Sequence, residues 1–332
     1  MDEIFRMKKI FITGGGGYVG SVLSDYLISK GYDVTVYDLF IYGKNVFENF
    51  EKIKLIEGDI RNEKLLRQSL KNHDIVIHLA CISNDPSFEL NPILGKSINL
   101  DAFEPLVKAS MESGIARFIY ASSSSVYGIK SELDVNEDMA LKPLTDYSKF
   151  KADCEKILKS YKSNFFETII IRPATVCGYS KRQRLDVIVN IFSNLAFHKR
   201  EISIFGGNQL RPNIHISDMV RAYEILIEAQ TDKVNGEIFN AGWENKSVNE
   251  IAEEVKKNIG NDVKIIKIKT DDNRSYHISS KKIKKILNFE TKFTISDAAS
   301  DLKLAFEKQL FEDPLNNDLY YNIKRMNKLN LK

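Results

Sequence analysis

The chain has 332 residues, 43% of them hydrophobic, enough to bury a substantial core in one large or two smaller domains. A formal net charge of +3, with Lys and Arg scattered rather than clustered, gives no reason to expect a nucleic-acid partner. Three cysteines, Cys81, Cys154 and Cys177, form no C-x-x-C pair and make an odd count, which argues against a disulfide framework and for a reducing compartment.

The first stretch, "MDEIFRMKKIFITGG", is charged on both sides of a short apolar strand and reads as neither a signal peptide nor a membrane span. No later run reaches the roughly 18 apolar residues of a membrane helix, so a soluble cytoplasmic protein is expected. "KKIFIT" (8–13) is the first predicted strand and runs into "TGGGGYVG". Counted from Thr13, Gly14, Gly17 and Gly20 fit T-G-x-x-G-x-x-G, and Gly15 and Gly16 read as filler in the turn. A helix follows with Val19, Val22, Leu23, Tyr26 and Leu27 on one face, closed by Gly31. Strand, glycine turn and helix in that order point backbone N–H groups and the positive helix end at a pyrophosphate. Gly14, Gly17, Tyr18 and Val19 are therefore candidate cofactor contacts.

The second strand, "DVTVY" (33–37), ends at Asp38. A carboxylate there can accept hydrogen bonds from both ribose hydroxyls and would repel a 2′-phosphate, and no Arg follows in "DLFIYGKN", which favours NAD over NADP. The alternative for Asp38 is an ordinary turn residue. After "KIKLI" (52–56), Asp59 and Ile60 either border an adenine or simply make a turn. "DIVIHLA" (74–80), "RFIYAS" (117–122), "ETIIIR" (167–172) and "EIFN" (237–240) complete a set of continuous apolar strands alternating with helices. That pattern predicts a doubly wound parallel α/β sheet covered on both faces. From about residue 176 longer irregular and helical stretches read as a smaller second region, with "EIFN" returning to the first sheet. The tail "NNDLYYNIKRMNKLNLK" reads as a polar, basic surface helix or extended arm.

Tyr147-Ser148-Lys149-Phe150-Lys151 is a Y-x-x-x-K at a helix start, and i, i+4 spacing places Tyr147 and Lys151 on one face. An ammonium beside a phenol lowers its pKa. Such a tyrosine can take a proton from a hydroxyl while hydride leaves the same carbon. Upstream, "ASSSSVYG" (121–128) offers hydroxyls for the same oxygen. Alone, the Tyr/Lys pair also fits a solvated helix face; its place after a glycine turn, an acidic strand end and a serine run marks it as a site.

With these motifs the sequence resembles the extended short-chain dehydrogenase/reductase family of nucleotide-sugar epimerases, dehydratases and decarboxylases. The resemblance spans nearly the whole chain and includes "HLA" (78–80), Asn99, "SSVYG" (124–128), "RP" (172–173) and "RPNIHISD" (211–218). It implies a Rossmann domain over 1–175, completed by about 212–242, that binds NAD and keeps it during turnover. A nucleotide-sugar-binding domain would be formed by 176–211 and 243–332. It also implies a homodimer built on a helix bundle, and no membrane partner. The catalytic Ser or Thr of the family lies four residues before the Tyr of V-Y-G, so Ser123 joins Tyr147 and Lys151. Leu79, Ala80 and Asn99, with Tyr147 and Lys151, join the cofactor contacts. Arg211 matches the arginine that binds the diphosphate, where a guanidinium makes paired hydrogen bonds.

The two positions after the catalytic Ser/Thr separate reaction types in this family. Dehydratases carry Asp-Glu there and decarboxylases a glutamate at the second; this chain has Ser124 and Ser125. Oxidation or reduction at C4, with or without 4-epimerisation, is what this pattern leaves. "RPATVCG" departs from the family's "RPxNVYG", placing Thr175 where an asparagine often meets substrate and Cys177 where a tyrosine is usual. Cys81 stands where alanine is usual, and both cysteines read as small packing residues, with Cys177 as an alternative second acid/base. His73, His78, His198, His215 and His277 lack metal-ligand spacing, so no metal site is expected. "CISNDPSFELNP" (81–92), "GYSKRQRLDVIVN" (178–190) and "NRSYHISSKKIKKIL" (273–287) resemble bacterial surface-polysaccharide enzymes, including dehydrogenases acting at C4 of GDP-linked heptose. Ser83, Ser124, Thr175, Arg184, Asn190, Arg211 and Arg274 are the candidate substrate contacts, and Arg184, Asn190 and Arg274 equally fit solvated or capping residues. A non-catalytic NAD-sensing module would be expected to lack the Tyr and Lys that are present here.

Overall fold

The computed structural model describes residues 7–270 and 275–331. Twelve strands run through the described residues: β1 Lys9–Thr13, β2 Asp33–Asp38, β3 Lys54–Glu57, β4 Ile75–His78, β5 Arg117–Ala121, β6 Glu167–Pro173, β7 Thr175–Cys177, β8 Glu201–Phe205, β9 Leu210–His215, β10 Ile238–Ala241, β11 Glu244–Ser247 and β12 Lys264–Ile268. Seven of them form one sheet in the order β10-β6-β5-β4-β1-β2-β3. Every pairing in it is parallel, with Lys9 opposite Asp33 and Ile10 opposite Ile75 in register. These seven are the seven apolar runs read from the sequence, and their continuity has a simple cause. Both faces are covered, so neighbouring positions such as Ile10, Phe11 and Ile12 are all fully buried, on alternate sides.

Ile10, Ile12, Val34 and Val36 belong to one core, and Phe11, Tyr37, Val76 and Phe118 to the other. The chain leaves β1 toward β2 and β3, then returns to place β4 on the opposite flank of β1. The reversal opens a crevice at the carboxyl ends of β1 and β4, where this class of sheet binds ligands.

The remaining strands make a three-stranded sheet β11-β9-β7 and a parallel β12-β8 pair. Val189, Phe192, Ile202, Ile204, Ile251 and Val255 lie in a separate core beside them. One departure from the expected division is clear. Ile278, Ile283, Leu287 and Phe289 bury against the core of the first sheet, so the chain crosses back once more after residue 243. No helix among the described residues is long and apolar enough to cross a membrane.

Candidate active site

A cavity of about 710 Å³ opens at the crevice and is lined from both regions. Its floor is the glycine turn. Gly14 adopts φ +75°, and a Cβ there would lie 2.4 Å from the Ala80 nitrogen, so no other residue fits without moving the end of β4. Gly20 is equally constrained, since its Cβ would meet the Gly14 carbonyl oxygen at 2.4 Å. Gly17 precedes the helix Tyr18–Ser29 with no capping side chain, which leaves first-turn amides for an anion. The two remaining glycines are more than filler. The Gly16 amide donates to Asp38 Oδ2 at 2.9 Å, and a Cβ on Gly15 would press on the Val36 methyls at 2.7 Å.

Asp38 also accepts from the Phe40 amide at 2.7 Å. Burial pushes its carboxyl up, opposed by those amides and by Arg182. The arginine that "DLFIYGKN" lacks comes instead from far along the chain, as Arg182. Asp59 lines the same wall, with its carboxylate paired to Arg61 at 2.6 Å, beside Ile60. Tyr18, Val19, Leu79 and Ala80 line it as well, and the Tyr18 hydroxyl donates to the Gly178 carbonyl at 2.7 Å.

Tyr147 and Lys151 sit in the first two turns of the helix Asp146–Ser160. Thr145 caps it in a capping box with Ser148, and the Thr145 hydroxyl donates to Asp85 at 2.5 Å. Lys151 Nζ donates to the Ala121 carbonyl at 2.6 Å and lies 5.9 Å from the Tyr147 ring centroid. The pKa relation is less simple than the spacing suggests. Burial raises Tyr147, Lys151 pulls it down, and Cys81 and Asp85 add to the rise, with burial prevailing. Lys151 stays a cation: burial alone would lower it, and Cys81 and Tyr147 more than offset that. Ser123 and Ser124 line the cavity, and Ser123 Oγ shares a hydrogen bond with Ser125 Oγ at 2.9 Å.

Ser83, Thr175, Arg184 and Arg211 also line the cavity. Arg184 pairs with Asp186 at 2.6 Å, and the Arg211 guanidinium lies 5.6 Å from the Tyr276 ring centroid. Two of the expected contacts hold backbone in this structure. Asn99 is not on the wall; it braces the wall from behind by accepting from Ile82 N at 2.8 Å and donating to Ile82 O at 2.9 Å. Asn190 is fully buried, accepts from Gly178 N and donates to Arg184 O and the Tyr18 hydroxyl, and so ties the loop together. Arg274 lies outside the described residues. Of the cysteines, Cys81 lines the cavity, where its charge acts on Lys151 and Tyr147, a more active setting than the packing role expected for it. Cys177 is buried with its thiol pushed up by burial and faces the Ile214 carbonyl, a packing position. His78 is buried, shares a hydrogen bond with Thr13 Oγ1 at 2.7 Å, and is pushed down to about 3 by burial and Lys151.

Residues missed from sequence complete the wall: Tyr42, Asp85, Arg182, Tyr276 and, from the tail, Asn322, Met326 and Leu331. The tail is therefore no free surface arm. Asn322 accepts from the Tyr42 hydroxyl and Arg182, both at 2.8 Å, and donates to Ser83 Oγ at 3.0 Å.

A parallel sheet with a glycine turn, an acidic β2 end and a Tyr/Lys helix over one cavity defines a dinucleotide-dependent oxidoreductase. The model of the NAD dependent epimerase/dehydratase family matches residues 10–242, and the chain belongs to that family. It is 30% identical over 258 residues to a UDP-N-acetyl-alpha-D-glucosaminuronate decarboxylase of Bacillus cytotoxicus, covering 75% of this chain and 79% of the relative. A putative UDP-glucose 4-epimerase of Methanocaldococcus jannaschii is 29% identical over 256 residues, covering 76% and 82%. Among solved structures, the UDP-glucose 4-epimerase of Thermotoga maritima with UDP-glucose superposes with a TM-score of 0.83 at 25% identity, covering 91% of this chain and 100% of that one.

The protein is thus an NAD-dependent enzyme. The Gly14 cradle, the uncapped helix and Asp38 suit that cofactor. Affinity for NAD should exceed that for NADP by at least about tenfold, or 1.4 kcal/mol, because Asp38 faces a 2′-phosphate with like charge. Titration calorimetry giving equal or tighter NADP binding would remove Asp38 from this role.

Proposed function

We propose that this enzyme oxidises C4 of a nucleotide-sugar to a 4-keto sugar, with a GDP-linked heptose as the leading substrate class, in building a bacterial surface polysaccharide. The observation that carries the reading is the cavity wall around Tyr147. It holds the phenol, Lys151 and the Ser123–Ser125 hydroxyls, with serines where elimination or decarboxylation would call for carboxylates. Bound NAD supplies the hydride acceptor. Tyr147 takes the proton of the C4 hydroxyl, Lys151 holds the phenol's field favourable, and Ser123 orients the oxygen. Arg184, which leaves one buried guanidinium nitrogen without a partner, and Arg211 hold the diphosphate.

The substrate class rests on the resemblance of three stretches, and parts of each line the cavity: Cys81–Pro86, Arg182, Arg184, Asp186–Ile188 and Tyr276. Asp85 brings a carboxylate into the field of Tyr147, but it is engaged by Thr145. Water loss needs both an acid and a base, and a single engaged carboxylate does not supply the pair. The second reading is a 4-epimerase, in which the 4-keto sugar is reduced from its other face. The two-region division, a homodimer and a cytoplasmic setting belong to the same proposal. Incubation with a panel of GDP-, UDP-, CDP- and dTDP-sugars tests it. GDP-heptose should give the fastest formation of reduced cofactor, and preferential turnover of another nucleotide would redirect the substrate assignment.

A further inference from the structure

The loop after β7 places two guanidinium groups side by side in the cavity wall. Arg182 is only 4% exposed, and its guanidinium lies 3.4 Å from the Tyr42 ring centroid. It donates to the Gln183 carbonyl at 3.2 Å and to Asn322 Oδ1 at 2.8 Å, while its Nε is buried without a partner. No carboxylate among the described residues forms an ion pair with it, whereas its neighbour Arg184 is paired with Asp186. Arginine does not shed its proton in proteins, and a buried charge without a counter-charge is costly. Burial and the field of Arg184 work against the Arg182 charge, and Tyr42 and Asp186 offset them only in part. Asp38 and Asp186 act on Arg182 only from a distance, so the position in direct contact with its guanidinium is left for an anion from outside the protein.

Two candidate anions exist, and position separates them. Arg182 stands in the field of Asp38 and stacks on Tyr42, four residues further along the loop after β2, beside the glycine turn. Arg184 instead stands in the field of Tyr147, at the reacting end. We propose that Arg182 is a cofactor anchor: its guanidinium, supported by Tyr42 and steered by Asn322, hydrogen-bonds the pyrophosphate of NAD, sharing that charge with the amides of the glycine turn. The tail belongs to the same device, since Asn322 bonds Arg182 and Tyr42 together and Met326 and Leu331 close the wall beside them. Slow release of the cofactor is the functional consequence.

This inference rests on the NAD requirement of the family and not on the sugar proposed above, so either can fail alone. The test measures binding of NAD, ADP-ribose, adenosine, GDP and UDP to nucleotide-free wild-type, R182Q and R182K protein. R182Q should weaken NAD and ADP-ribose by about ten- to a hundredfold, the range for a hydrogen bond to a charged group, and leave adenosine unchanged. R182K should recover part of the loss, and less nucleotide should co-purify with R182Q. Should R182Q fail to fold, Tyr42→Leu, which removes the ring beneath the guanidinium, carries the same comparison. Unchanged NAD affinity with weakened GDP or UDP would overturn the proposal and assign Arg182 to the substrate. An equal loss for adenosine would also overturn it, as would wild-type protein preferring NADP.

Discussion

Tyr147→Phe is expected to lower turnover by roughly 10²–10⁴-fold, the usual worth of a positioned general base, with fold and cofactor content preserved. The phenyl ring keeps the packing against the cavity wall, and only the reacting oxygen is lost. The capping box at Thr145 and its bond to Asp85 fix the first turn of the helix, and neither depends on that oxygen. The pH profile gives an independent handle. Burial raises the phenol's pKa and Lys151 lowers it, so activity should climb as pH rises toward the phenol's ionisation. Lys151→Met removes the opposing charge and should move that limb to higher pH. A Phe variant retaining more than about a tenth of wild-type turnover would show that Tyr147 is not the base.

Glu155→Ala is expected to cost about 3–5 kcal/mol of stability, the penalty for stranding a buried charge. Arg172 and Glu155 form a two-pronged pair at 2.9 and 2.7 Å, with both side chains 3% exposed. Ser122 donates to the same carboxylate, and Arg172 donates to the Tyr127 hydroxyl, which donates onward to Asn240. The network ties β6 and β10 to the helix of Tyr147 and to the serine run, so the site should lose definition along with stability. Urea unfolding reads the first effect, and a loss below about 1 kcal/mol, typical of surface pairs, would contradict the assigned role.

The seven-stranded sheet was legible because a doubly covered parallel strand needs apolar residues at every position, as in "KIFIT" and "ETIII". The Tyr147/Lys151 pair was legible because one helical turn sets its spacing. What escaped reading depends on contacts far apart in the chain. Arg182 meets Asn322 across 140 residues, and no local pattern distinguishes it from its neighbour Lys181, which is exposed. The tail helix Asn322–Leu329 buries only Asn322 and Met326, too few apolar positions to announce a docked face. The backbone bonds of Asn99 to Ile82 and of Asn190 to Gly178 and Arg184 leave no mark in sequence, where a polar side chain near a motif does not announce its partner. Cys81 looks like a packing residue in sequence because Lys151, whose charge it meets in the fold, lies 70 residues away.

Under the proposed reaction hydride leaves C4 without loss of water, and the mass of the product decides it. Purified enzyme, given its nucleotide-sugar and no partner protein, should yield a product two hydrogens lighter than the substrate, or of equal mass if the ketone is reduced again. Two hydrogens lost means NADH accumulates one equivalent per site unless a separate carbonyl acceptor reoxidises it. Ser124 and Ser125 hardly ionise near neutrality, so neither can expel a hydroxyl as water or remove a carbon-bound proton. A product lighter by one water would rule this reaction out, because an acid and a base would then have to act where the cavity offers only hydroxyls and an engaged Asp85.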